Sequence, residues 1–286
     1  MSNQTAKFPQ LTAVNIFSIS LTVITAAFHV IGIFTLICLR SKLSQTSILI
    51  NLSISEMLYC LFSVTWPIKS LKYARQCLCL FSMLSNKMLM MVLLGDRFLE
   101  IYLNIKYPII VTRERLFKTI GIIWVVGGLY GIIPVVATDK SQYYRTYYIN
   151  NYLALAFDAV FTISALFTYG YFFLKIRKIH RKVSSNRSAE NSEGSGRRFN
   201  FRIPFSIVAT YIVFNVSSAV LHLTNHYTKR AHAKRGVKCT YCPSLVITAY
   251  TLAVIGFLSD PILYIFMQRN VRLLIRRRIW PLNDSD

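Results

Sequence analysis

The sequence predicts an all-α membrane protein: a seven-transmembrane helix bundle followed by a short amphipathic eighth helix. Three observations carry that expectation. Only 15% of the 286 residues are charged and 54% are apolar or aromatic, whereas a soluble domain is nearer a quarter charged. Apolar stretches close to the ~20 residues that cross a hydrocarbon core recur seven times. The basic residues, which bring the formal charge to +22, fall mostly between those stretches. That placement favours a membrane topology over nucleic-acid binding.

The first stretch, residues 8–39, carries no charge. It is too long for a cleaved signal peptide, and Ala26-Ala27 is only a weak cleavage site, so it is read as helix one. The second covers 46–68, with Glu56 as its one charge. The third, 78–103, contains Lys87, Asp96, Arg97 and Glu100 and is the least secure. The fourth covers 119–137, the fifth 152–174 with Asp158 inside, and the sixth 203–224. The seventh, 245–267, is interrupted by Asp260-Pro261. Residues 184–196 are polar and Gly/Ser-rich, as a loop would be. From 267 to 280 Arg is mixed with Leu, Ile and Val, which fits a helix lying on the inner leaflet. The whole is one domain: 1–10 outside, 11–267 the bundle with 183–198 as a mobile third intracellular loop, and 268–286 the amphipathic helix and tail. No internal repeat is visible, which argues against a transporter.

Loop charge sets the orientation. The loops on one side hold 20 Lys and Arg and those on the other 11. The richer side is expected to be cytoplasmic, so the N-terminus is expected outside. Asn3-Gln4-Thr5 is then an acceptor for N-glycosylation at Asn3.

Three local motifs follow one another on the predicted helices. Asn51-Leu52-Ser53-Ile54-Ser55-Glu56 lies on the second, Asp96-Arg97-Phe98 at the inner end of the third, and Asp260-Pro261-Ile262-Leu263-Tyr264 on the seventh. Trp124 stands on the fourth, and Tyr169 eight residues before Arg177 on the fifth. Together they resemble rhodopsin-like (class A) G-protein-coupled receptors. In that family the counterparts are Asn-Leu-Ala-x-x-Asp, Asp-Arg-Tyr and Asn-Pro-x-x-Tyr. The second intracellular loop looks most like that of the melanocortin receptors, which group with the lysophospholipid, cannabinoid and adenosine receptors. The resemblance implies a receptor in the plasma membrane, with an extracellular ligand and a heterotrimeric G protein as partners. Its activation switch would be Asp96, Arg97, Tyr169, Asp260, Pro261 and Tyr264, with Arg97 leaving Asp96 for Tyr169 and Tyr264. His29, Glu56, Asn86 and Asp260 match the positions around the family's sodium ion. Two carboxylates in low dielectric require either a cation or a shared proton. Cys239 and Cys242 resemble the short disulfide of the third extracellular loop in adenosine and lysophospholipid receptors; a zinc site remains an alternative.

Lys87, one residue beyond Asn86, should face helix five, where Asp158 stands eleven residues before Tyr169. The two are expected to form a buried ion pair, with Glu56 as the alternative partner of Lys87.

The chain also departs from the family pattern. No Cys is placed for the disulfide between helix three and the second extracellular loop. Ser217-Ser218-Ala219-Val220 replaces the helix-six Trp-x-Pro, and Phe161 stands where many relatives have Pro. A straighter helix six without a Trp toggle is therefore expected. It opens a second reading, a non-signalling seven-helix heteromer or trafficking partner. Val254 replaces the retinal Lys of opsins, and Cys79 the Asp of amine receptors. Arg75-Gln76 matches the phosphate-gripping pair of lysophosphatidic acid receptors, and His222 with Asn225 matches adenosine receptors. The outer loops carry 11 basic residues against one acid, Asp139, a field that attracts anions. The candidate ligand set is Lys72, Arg75, Gln76, Cys79, His222 and Asn225, for a lysolipid, a carboxylate, an acidic peptide or a nucleoside. No nucleophile–base set or metalloprotease motif is present, so an enzyme is not expected.

Overall fold

The structure is a computed structural model and describes residues 8–38, 44–64, 72–103, 106–136, 152–153, 155–171, 173–175, 202–237, 239 and 242–267. The expected loop at 183–198, the tail at 268–286, the N-terminal 1–7 and with it Asn3 lie outside the described residues, as do the side chains of Lys72, Arg75, Gln76 and Tyr264. Among the described residues there is no strand, and seven helices are long and apolar enough to cross a membrane. These are α1 (Phe8–Cys38), α2 (Ser44–Val64), α3 (Lys72–Leu103), α4 (Arg113–Val136), α5 (the span Leu155–Lys175), α6 and α7 (Cys242–Met267). α6 is composite: an α segment Arg202–Tyr211, a π-helical turn Ile212–Val216 and a second α segment Ser217–Lys234. The protein is a multi-pass, all-α membrane bundle.

α1 shows how such a bundle is ordered when its outside is hydrocarbon. Its inward residues are Thr22, Thr25, His29, Gly32 and Leu36, spaced alternately by three and four. Ile16, Phe17, Val30, Ile31 and Phe34 point outward and are exposed. The helix buries its polar stripe and presents its apolar one, the reverse of a soluble helix. The Thr22 and Thr25 hydroxyls donate to the carbonyls of Ser18 and Leu21 at 2.7 and 2.8 Å, so neither arrives unsatisfied.

The helices pack in chain order, α1 on α2, α2 on α3 and α3 on α4, and α6 on α7; α1 also packs on α7, which brings the two ends of the chain's helical order together. α2 and α3 are the most buried of the seven spans among the described residues. Leu89, Met90, Leu93 and Leu94 join Ile48, Leu49 and Leu52 of α2, Ile120 and Ile123 of α4, Phe161 of α5 and Ile207 of α6 in one core. The motif residues also join helices: Trp124 Nε1 on α4 donates to Asn51 Oδ1 on α2 at 3.0 Å.

Three expectations need correction at the level of elements. α3 starts at Lys72 and α4 at Arg113, each about two turns before the apolar run begins, because charge at an interface does not stop a helix. α6 runs to Lys234, ten residues past the predicted end at 224; it stops where Gly236 takes a φ of 66° and Val237 N–H closes on the His232 carbonyl. A π turn interrupts α6 at Ile212–Val216.

Without a hydrophobic force between helices in lipid, close approach is what binds them. Gly127 and Gly131 on α4 provide it. A Cβ at Gly131 would stand 2.7 Å from the Cys77 carbonyl oxygen and 3.0 Å from Phe81 Cβ. A Cβ at Gly128, one residue from Gly127, would meet nothing within 4 Å. Gly131→Ala should therefore destabilise the purified protein by about 1–3 kcal/mol, seen as a lower melting temperature. Gly128→Ala should be neutral or slightly stabilising. Equal effects of the two would contradict the packing described.

Candidate functional site

Charged side chains inside a membrane helix are costly and must find partners within the bundle. Among the described residues three groups of them meet α3, two at the adjacent positions Asn86 and Lys87 and one at Arg97.

At one end of α3 Arg97 is buried. Its Nη2 donates to Asp96 Oδ2 at 2.6 Å, and its Nη1 to Glu100 Oε2. Asp96 also accepts from the hydroxyl of Tyr107, which opens the one-turn helix Tyr107–Ile110 after α3. Pro108 in the first turn of that helix costs no hydrogen bond. Tyr169 on α5 stands within electrostatic reach of Arg97. Phe98 stacks on Tyr102 and leans on Tyr171 of α5, each at 5.7 Å between ring centres. Asp96, Arg97 and Tyr169 are thus brought together. Asp260 and Pro261 lie deeper, with Gly32 of α1 against the proline: a Cβ there would be 3.2 Å from Pro261 Cβ.

The second group fills the space between α1, α2, α3 and α7. Asn86 Nδ2 donates to Glu56 Oε1 at 2.9 Å, and His29 Nε2 lies 3.5 Å from Glu56 Oε2. The Glu56 and Asp260 carboxyl groups face one another. Thr210 on α6 reaches Asp260 Oδ1 at 3.4 Å. All four residues expected around one ion or proton, His29, Glu56, Asn86 and Asp260, are buried. Asn86 Oδ1 has no hydrogen-bond partner, which leaves it available to a cation. No group of three or more His, Cys, Asp or Glu able to hold a metal ion is found among the described residues.

The third group joins α3, α5 and α6. Lys87 Nζ and Asp158 Oδ1 form an ion pair, both side chains buried. Asp158, rather than Glu56, is the acid beside this lysine. The same carboxylate oxygen accepts a hydrogen bond from Tyr211 on α6 at 2.9 Å. Phe161, one turn along α5 from Asp158, meets the Tyr211 ring edge-on at 4.7 Å. Thr210 and Tyr211 therefore reach two different clusters from adjacent positions of α6.

The residues suggested for a ligand are less gathered. Cys79 sits 4.0 Å from Ser63 Oγ, among Tyr59 and Tyr250, and Tyr250 bonds Thr22 of α1 at 2.8 Å. His222 and Asn225 lie half-buried on α6 beyond Ser218, which donates to the Ala249 carbonyl of α7 at 2.7 Å. Nothing in the described residues joins Cys79 to them. Cys239 and Cys242 form a disulfide, which removes the zinc alternative, and Cys77 and Cys79 remain thiols.

Glu100, Thr210 and Tyr211 were not singled out from the sequence. Glu100 was legible as an i,i+3 partner of Arg97. Tyr211 carries the one phenol in the 203–224 stretch, and a buried Tyr hydroxyl needs an acceptor; which acceptor depends on how α5 and α6 are rotated.

Lys87→Met should leave Asp158 charged and stranded, and cost about 3–5 kcal/mol of stability. Lys87→Met combined with Asp158→Leu should recover most of that loss, read as the melting temperature in detergent. A double variant no more stable than the single one would show that the loss did not come from a stranded Asp158 charge.

A comparison with protein-family models finds no match for this chain, and neither does a comparison with curated proteins.

Proposed function

We propose that the protein is a G-protein-coupled receptor of the rhodopsin-like kind, and not an enzyme. The observation that carries this reading is Arg97: a buried arginine near the end of α3, held by Asp96 and facing Tyr169. A packing role alone gives no reason to bury a guanidinium at a helix end, since an apolar residue would serve better. As a two-state element it makes sense, because the arginine can exchange its α3 carboxylates for partners on a G protein or on α5. In this reading the Arg97 end is cytoplasmic, the N-terminus and the Cys239–Cys242 disulfide are extracellular, and the protein resides in the plasma membrane with a glycan on Asn3.

The ligand enters from the disulfide end. The excess of basic residues there favours an acidic one, a lysolipid, carboxylate or acidic peptide, over an amine. A nucleoside contacting His222 and Asn225 is the other chemistry these residues support. The Glu56–Asp260 cluster would be neutralised by a sodium ion on the Glu56, Asp260 and Asn86 oxygens, or by a proton shared between the carboxyls. A bound cation would hold α2, α3 and α7 together and favour the resting state.

Two measurements test this. Basal G-protein dissociation in cells should exceed that of mock-transfected cells for the wild type and vanish in Arg97→Ala. Equal signals from wild type and variant, with both at the surface, would instead support the heteromer or trafficking reading that the missing helix-six Trp raises. Raising sodium at constant ionic strength should increase the melting temperature of the wild type but not of Glu56→Gln; no sodium effect, with a rise on acidification, would assign the cluster to a proton.

A further inference from the structure

The part of α6 beyond the π turn has a lipid side and a bundle side, and exposure tells them apart. Val220 and Tyr227, spaced by seven, are exposed. Ser218, on the other side, is buried and donates to the Ala249 carbonyl of α7. At about 100° per residue, His222 stands about 40° from Ser218 and about 160° from Val220. His226, one turn on, is about 40° from His222 in the other direction, and Asn225 lies about 60° from it on the Ser218 side. All three are half-buried. His222, Asn225 and His226 therefore share the bundle side of α6, close to where the apolar span ends at Lys229.

Residues four apart on a helix have Cβ atoms about 5–6 Å apart, and two histidines so placed can chelate one zinc ion. Between them Asn225 Oδ1 is buried and accepts no hydrogen bond among the described residues, and a buried oxygen of this kind needs a partner. The His226 ring stands 5.6 Å from that of Tyr227, so turning it toward His222 takes one rotamer change. Composition selects the ion. From Arg202 to Lys234 the helix contains no acidic residue, and Lys229 follows one turn beyond on the same side. Calcium and magnesium, which bind through carboxylates and other oxygens, are disfavoured there. Zinc takes imidazole nitrogen and needs no carboxylate.

We propose that His222 and His226 form a zinc-binding site on the bundle side of α6, with the Asn225 amide oxygen as a weaker third ligand and water completing the coordination. Two histidines leave positions open, unlike the closed four-ligand sites that hold structural zinc. The ion is therefore exchangeable, and bound less tightly than structural zinc. The site shares no residue with the Glu56–Asp260 cluster, which lies between α1, α2, α3 and α7. It rests on the spacing and side of three residues, and depends neither on G-protein coupling nor on a nucleoside at His222 and Asn225.

The test is calorimetric titration of zinc chloride into the purified full chain in detergent, without a histidine tag. A Cys38→Ala, Cys77→Ala, Cys79→Ala background removes competing thiols. The protein should bind one zinc ion per chain, and magnesium in its place should give no binding heat. His222→Ala and His226→Ala should each weaken zinc binding at least about tenfold, since even a residue that only supports a metal ligand is worth that much. A relocated imidazole then tests the geometry. Asn225→His in the His226→Ala variant puts it three residues from His222 on the same side and should restore binding. Tyr227→His in that variant puts it on the lipid side and should not. The His226→Ala comparisons serve alone if His222→Ala does not fold. No zinc bound by the wild-type histidines, affinity unchanged in the single variants, or equal rescue from both new positions would overturn the site.

Discussion

A lysine placed near the middle of a membrane-spanning helix constrains everything around it. Lys87 cannot face lipid without a large desolvation cost, so α3 must turn that side toward another helix, and that helix must carry an acid. Asp158 is the one acid in α5. Once the two meet, the rotation of both helices is set, and with it the side of α3 that carries Asn86 toward α2. The apolar residues between them, Leu89, Met90, Leu93 and Phe161, then fall into the core without further choice.

The same constraint explains why the polar interior is layered along α3. Asn86 and Lys87 are adjacent in sequence and so about 100° apart on the helix. One points to Glu56 and the α1–α2–α7 side, the other to Asp158 and the α5–α6 side. Three turns further along, Arg97 closes the interior at the helix end with two acids of its own helix. Buried polar groups of this kind contribute little to net stability; what they supply is a defined register among helices whose apolar surfaces would otherwise slide. A bundle specified this way can also be rearranged by exchanging polar partners, which is what a membrane switch needs.

The architecture was legible early, because a charged fraction of 15%, well below the usual ~25%, and seven apolar runs leave few alternatives. The interior was legible in part. Lys87 with Asp158, and Glu56 with His29, Asn86 and Asp260, could be anticipated, since each is an expensive residue within an apolar stretch and must be answered. What was hidden had a physical reason in each case. No residue type announces the π turn in α6. Tyr211 looks like one more aromatic in an apolar run until the rotation of α6 is known. The lengths of α3, α4 and α6 were underestimated because charged residues at a membrane boundary read as loop although the helix continues through them. The side chains of Lys72, Arg75 and Gln76, on which the idea of an anionic ligand leans, lie outside what the structure describes.

The most direct test of the account exchanges the charges at its centre. Lys87→Asp alone and Asp158→Lys alone each place two like charges in the interior, and each should abolish folded, monodisperse protein in detergent. The exchanged pair, Lys87→Asp with Asp158→Lys, should restore it with a melting temperature well above either single variant. Single reversals that fold as well as the wild type, or an exchanged pair no better than they are, would contradict the claim that this ion pair sets the register of the bundle.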